Sequence, residues 1–193
     1  KILTQDPNFT LAHYDLAIAY RDLGMEDEAI QQYEKTIKLQ PNFPEALSNL
    51  GSYYFRSGKV EQAKEMYTKA IKIYPNFIQG LSNLGAVLNK LGHPEKAIPH
   101  LKKTLELNPE FAIASFNLGN SQFALNRFEE AQRSYEQSAE LGLDFLSMHW
   151  KLYKIHLTRK AYKNAEKELQ TILQMDPLNE EAQKKLSELP KIH

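Results

Sequence analysis

The chain has 193 residues, 42% of them apolar and 25% charged, a balance that supplies a sizeable core and excludes a disordered chain. Lys and Arg together number 24, as do Asp and Glu, so no global field recruits nucleic acid, an anionic membrane surface or a strongly acidic substrate. The absence of cysteine excludes disulfides, thiolate catalysis and Cys-ligated zinc or iron–sulfur centres.

No apolar run approaches the roughly 20 residues of a membrane span, and no signal-like segment opens the chain. Because the first residue is Lys1, the expectation is a segment of a longer parent, whose compartment is left open with the cytoplasm favoured. Pro7, Pro41, Pro75, Pro109 and Pro177 are spaced by 34, 34, 34 and 68 residues, with Leu143 in the skipped slot. Ala29, Ala63, Ala97, Ala131 and Ala165 keep the 34-residue interval, as do Leu16, Leu50, Leu84, Leu118 and Leu152. One period therefore runs the whole length.

In chain order, residues 1–9 match the end of a truncated preceding repeat, with Ile2 and Leu3 exposing a face that a missing neighbour would share. Five full repeats follow at 10–43, 44–77, 78–111, 112–145 and 146–179. Each reads as two amphipathic helices, because apolar residues recur at three and four spacing in both halves, as in Leu47, Leu50, Tyr54 and then Ala63, Tyr67, Ala70. Gly24, Gly58, Gly92 and Asn126 mark the turn between the two, being residues that enter the left-handed region cheaply. Each periodic proline sits where a second helix stops. Ala17, Gly51, Gly85 and Gly119, at the eighth position, let the paired helices approach closely. In the third repeat Pro94 suits a first helical position, whereas Pro99 falls inside the second helix and predicts a kink. The fifth repeat is irregular: Tyr153 replaces the small residue, Lys160 the turn glycine and Ile172 a small residue of the second helix, which predicts looser or shifted packing. Residues 180–193 read as a capping helix followed by a frayed tail from 190.

This 34-residue signature resembles the tetratricopeptide repeat, and the resemblance covers nearly the entire chain. It implies an all-α fold, a right-handed superhelix or α-solenoid of antiparallel helix pairs with a C-terminal capping helix. In this family the first helix of each repeat lines the inner surface, chiefly at its second, fifth, sixth, ninth, twelfth and thirteenth positions. On this chain that implies Tyr14, Asp15, Ile18 and Arg21; Ser48, Asn49, Ser52 and Phe55; Ser82, Asn83, Ala86 and Asn89; Phe116, Asn117, Asn120 and Phe123; and Trp150, Lys151 and Lys154. The helical pattern independently puts these opposite the inward-packing leucines.

Asn49, Asn83 and Asn117 share the sixth position of consecutive repeats. A carboxamide offers both donor and acceptor, so such a row suits the backbone of an extended peptide, and it is similar to the asparagine ladder in the repeat arm of O-linked N-acetylglucosamine transferases. Asparagine in this slot has a second reading, as a residue that only solvates the surface or caps locally. Tyr14, Phe55, Phe116, Phe123 and Trp150 are either interface aromatics or core, with Phe123 and Trp150 the stronger groove candidates. The expected peptide-binding set is Tyr14, Asn49, Ser52, Asn83, Phe116, Asn117, Asn120, Phe123, Trp150, Lys151 and Lys154.

Some chaperone-binding members hold a C-terminal carboxylate with lysine, asparagine and arginine at set positions. Here Tyr14, Ser48 and Ser82 stand at the fifth position, and Gln79, Ile113 or Ser147 fills the second-position lysine slot, so Hsp70 or Hsp90 tails are not the expected ligands. Six basic residues against Glu166 between Lys151 and Lys167 make a local basic patch, read as a solvated helix face in preference to a nucleic-acid surface. His149 and His156 lie seven apart, not at metal-ligand spacing, and no H-E-x-x-H, G-x-S-x-G or phosphate-loop string occurs. Asn8-Phe9-Thr10 matches a glycosylation string that matters only in a secreted parent.

The reading is a scaffold that binds an extended peptide or a partner protein in the concave groove, with no cofactor, no catalysis and no membrane contact. The alternatives are a substrate-recruiting arm of a larger, glycosyltransferase-like enzyme, and a scaffold that self-associates end to end.

Overall fold

The structure is a computed structural model that describes residues 6–190. Among the described residues there are eleven helices and no strand: α1 (Thr10–Asp22), α2 (Glu26–Leu39), α3 (Pro44–Arg56), α4 (Val60–Ile73), α5 (Ile78–Lys90), α6 (Pro94–Leu107), α7 (Ala112–Ala124), α8 (Phe128–Glu140), α9 (Leu146–Thr158), α10 (Tyr162–Met175) and α11 (Glu180–Glu188). The odd-numbered helices start at Thr10, Pro44, Ile78, Ala112, Leu146 and Glu180, 34 residues apart throughout. Two compact units result, the first ending at Asn108 and the second beginning at Pro109. In the first, the hairpins α1/α2, α3/α4 and α5/α6 stack through α2 on α3 and α4 on α5. In the second, α7/α8 and α9/α10 are followed by α11, which packs on α10.

The hairpin turns share one hydrogen-bonded motif. Gly24, Gly58 and Gly92 have φ of +73°, +77° and +76°, and the N–H of the next residue reaches back to the last turn of the helix: Met25 to the Tyr20 carbonyl at 2.9 Å, Lys59 to Tyr54 at 2.8 Å, His93 to Leu88 at 2.9 Å. Asn126 and Lys160 adopt φ of +57° and close the same bond, from Arg127 to Gln122 at 2.9 Å and from Ala161 to His156 at 2.8 Å. The backbone thus imposes the left-handed conformation even where the side chain opposes it. Where the periodic proline is missing, Gly142 at φ +83° ends α8 with the same motif, Leu143 donating to the Ser138 carbonyl at 3.0 Å.

Each hairpin closes on its eighth-position residue. A Cβ at Gly85 would lie 2.5 Å from Leu101 Cγ, and one at Gly119 would lie 2.6 Å from the Tyr135 ring. Tyr67 is buried over Gly51, Leu101 over Gly85 and Tyr135 over Gly119, and Ala29, Ala63, Ala97, Ala131 and Ala165 are fully buried. The fifth hairpin buries its large residues against the helix that follows it. Tyr153, Leu169 and Ile172 are buried in one cluster with Ala182 of α11, and Leu186 and Leu189 flank it. The large residues are accommodated because α11 covers them with a helix of its own. α6 runs unbroken through the exposed Pro99, with Pro94 in its first turn. Ile2 and Leu3, the apolar face behind the expected end-to-end contact, and residues 191–193 of the tail lie outside the described residues.

Two substitutions test this packing. Lys160→Gly is expected to raise the stability of the second unit by about 1 kcal/mol, since it removes a side chain from a left-handed residue; an unchanged or lower urea midpoint would contradict the turn geometry. Gly119→Ala is expected to lower it by about 1–2 kcal/mol, overpacking against Tyr135 outweighing the helix propensity gained. A higher midpoint for that variant would show that the helices are not in contact there.

Candidate functional site

In the first unit, one cavity of about 430 Å³ is lined by Tyr14 of α1, by Glu45, Ser48, Asn49 and Ser52 of α3, by Gln79 and Asn83 of α5, and by Phe77. The repeat explains the assembly: equivalent turns of three successive first helices stand side by side, so residues 34 apart meet along one face. The Asn49 amide donates to the Tyr14 hydroxyl at 3.3 Å and ties α1 to α3. Ser52 donates to the Ser48 carbonyl at 3.0 Å and accepts from the Tyr67 hydroxyl, also at 3.0 Å. Asn83 has no side-chain hydrogen bond among the described residues, which leaves its donor and acceptor for a ligand. Burial holds the Tyr14 phenol above its ordinary range, with the Glu45 carboxylate adding to the effect.

The second unit brings together Phe116 and Asn120 of α7 and Lys151 of α9. The Lys151 ammonium donates to the Asn120 Oδ1, which also accepts from the Tyr135 hydroxyl at 3.0 Å. It lies 5.5 Å from the Phe116 ring centroid and 5.9 Å from that of Tyr135. Burial, followed by the neighbouring Lys154 charge, lowers the Lys151 pKa. No ion pair among the described residues includes Lys151, and Lys154 is exposed one turn away. Asn117 is half-buried on α7.

The expected set divides along these lines. Tyr14, Asn49, Ser52 and Asn83 line the first cavity; Phe116, Asn120 and Lys151 form the second cluster. Trp150 is half-buried. Its ring meets Tyr153 edge-on at 5.8 Å and packs against the core under α11, while Phe123 packs on Phe128 at 5.7 Å. Ser48 and Ser82 are only 5% and 2% exposed. The fifth position is the common cause, since it faces a neighbouring helix more than solvent. Tyr14 there packs on Phe43 at 4.7 Å, and Phe116 packs on Phe145 at 4.8 Å, both partners being the phenylalanine that precedes the next repeat. Glu45, Gln79 and Phe77 join the lining beyond the expected set. Glu45 and Gln79 occupy the second position, which the resemblance names, and Phe77 belongs to a periodic phenylalanine column.

Models described as "TPR repeat" and "Tetratricopeptide repeat" match residues 19–58, 44–77, 78–111 and 117–180. The chain belongs to the tetratricopeptide repeat family. Its fold is similar to that of PilF from Pseudomonas aeruginosa, with a TM-score of 0.82 at 21% identity over 96% of this chain and 85% of that one. YrrB, a TPR protein with an unusual peptide-binding site, superposes with a TM-score of 0.80 at 19% identity over 96% of each chain. MamA from Desulfovibrio magneticus RS-1 does so with 0.76 at 19% identity over 89% of this chain and 97% of that one. No curated protein matches the sequence.

Three histidines of this tetratricopeptide repeat chain, His13, His149 and His156, are buried. Among the described residues, no group of three or more His, Cys, Asp or Glu could hold a metal ion, and no helix is long and apolar enough to cross a membrane. His13 and His149 fill the same fourth-position slot of repeats one and five, and both are buried. His13 meets Gln32 Oε1 at 2.7 Å and the Pro7 carbonyl at 2.9 Å. His149 meets Glu168 and Asp144, each at 2.6 Å, and these carboxylates, Glu168 foremost, raise its pKa above the ordinary 6.5 against the opposing effect of burial. His156, 3.8 Å from Glu168, is shifted the other way because burial outweighs the Glu168 and Glu136 carboxylates, and Arg159 adds to the lowering.

A raised folded-state pKa makes the His149 contribution full below its unfolded value and lost as pH climbs through the folded one. His149→Gln should therefore destabilise the second unit more at about pH 5.5 than at about pH 8.5, as read from denaturation midpoints at the two pH values. An equal loss at both would show that His149 is held as a neutral packing residue.

Proposed function

We propose that the chain is a protein-interaction scaffold whose first helices bind an extended peptide segment, without catalysis of its own. The observation that carries this is the cavity of the first unit, where the Asn49 and Asn83 amides stand beside Ser52 and Tyr14 in a space of about 430 Å³. An extended backbone presents N–H and C=O groups that need both donors and acceptors, and carboxamides on a rigid helix supply both with little ordering cost. In the second unit, Lys151 is a half-buried cation resting on two aromatic rings with a neutral hydrogen-bond partner, which suits an acidic side chain of a bound segment. YrrB, of similar fold, has a peptide-binding site, in line with this use of the architecture.

The paired variant Asn49→Ala with Asn83→Ala should weaken binding of blocked extended peptides about tenfold, the loss of one or two hydrogen bonds, and leave the thermal midpoint nearly unchanged. Isothermal titration with the wild type and the variant reads both affinities. Equal affinities would remove these amides from the binding site.

A further inference from the structure

The first unit's groove carries an uneven charge. Its lining is otherwise amide, hydroxyl and aromatic, yet Glu45 stands in the wall and Asp15 adjoins Tyr14 on α1. Neither carboxylate has an ion pair or a side-chain hydrogen bond among the described residues. Both act on the same phenol: after burial, Glu45 is the next largest influence raising the Tyr14 pKa, and Asp15 adds to it. Arg21 works in the opposite direction, but its guanidinium is engaged by Asp22 at 2.9 Å. The Asn49 amide holds the Tyr14 hydroxyl as an acceptor, and Phe43 backs the ring at 4.7 Å, so the ring is fixed in place.

We infer that the Tyr14 end of this groove takes the guanidinium of an arginine in an extended segment of a partner protein, with Glu45 and Asp15 as its counter-charges. The inference rests on the peptide-binding reading of the same groove and adds the side chain it selects. A cavity-wall carboxylate beside an aromatic ring, with a second carboxylate next to that ring on the same helix, matches a group that is planar, cationic and weakly hydrated. Arginine stacks on the ring while its N–H donors fork onto the acids, whereas lysine offers a compact, strongly hydrated charge without that planar fit. An acidic segment would meet two like charges here, and a neutral one would leave both carboxylates uncompensated.

The test compares three blocked peptides, acetyl-Ser-Gly-Xaa-Gly-Ser-amide with arginine, its neutral isostere citrulline, or glutamate at Xaa, against the full chain. Binding is read from amide chemical shifts and titration calorimetry. The arginine peptide should bind about tenfold more tightly than the citrulline peptide, shift the amides around Tyr14, Glu45 and Asn49, and lose that advantage in 0.5 M salt or in the Asp15→Asn, Glu45→Gln variant. Equal binding of arginine and citrulline peptides would overturn the arginine assignment and leave the groove reading standing. Binding of the glutamate peptide at least as tightly, or shifts confined to other helices, would also overturn it. No binding by any of the three would defeat the assignment and the groove reading together.

Discussion

The contact on which everything else depends is the close approach of the two helices within each hairpin. At the eighth position a glycine or alanine removes the side chain that would hold the helices apart, and the ring or branched side chain of Tyr67, Leu101 or Tyr135 fills the space. Dispersion and burial at this one contact set the angle at which the second helix leaves the first, and so the face that the next hairpin must match. Because the contact recurs every 34 residues, equivalent first-helix turns come side by side and the cavity of the first unit is built from residues far apart in sequence.

The fifth hairpin shows how far the contact can be altered. Tyr153 takes the small-residue slot and Lys160 the turn glycine, yet the turn closes with the same hydrogen bond and the apolar residues are buried. The backbone motif is held by its carbonyl partners, so a poor residue costs stability without changing the conformation. The extra bulk is absorbed by α11, which supplies Ala182 and Leu186, with Leu189 just past its end, over the site where another repeat would stack. Trp150, half-buried, packs against that same core.

The charge pattern separates the two units in chemistry. Asp15 and Glu45 give the first a negative edge beside Tyr14, while Lys151 and Lys154 give the second a positive one beside Phe116. The total of zero conceals both, so a balanced composition excludes long-range steering without excluding local selectivity. Each unit would then recognise a different side chain through aromatic support and a charge that the fold leaves uncompensated.

The amino-acid sequence by itself determined the helix count of each repeat, the 34-residue spacing, the turn positions and the all-α class, because these follow from local periodicity and from residues with special backbone preferences. It also put Tyr14, Asn49, Ser52 and Asn83 on one face. Tertiary structure alone decided which side chains on that face stay open. Ser48, Ser82 and Trp150 share a slot with Tyr14 and Phe116, but the exposure of that slot is set by the helix packed against it, a distance-dependent fact that no periodicity encodes. The same holds for Glu168 and Asp144 converging on His149 from two other elements, and for the pairing of Asn120 with Tyr135 and Lys151.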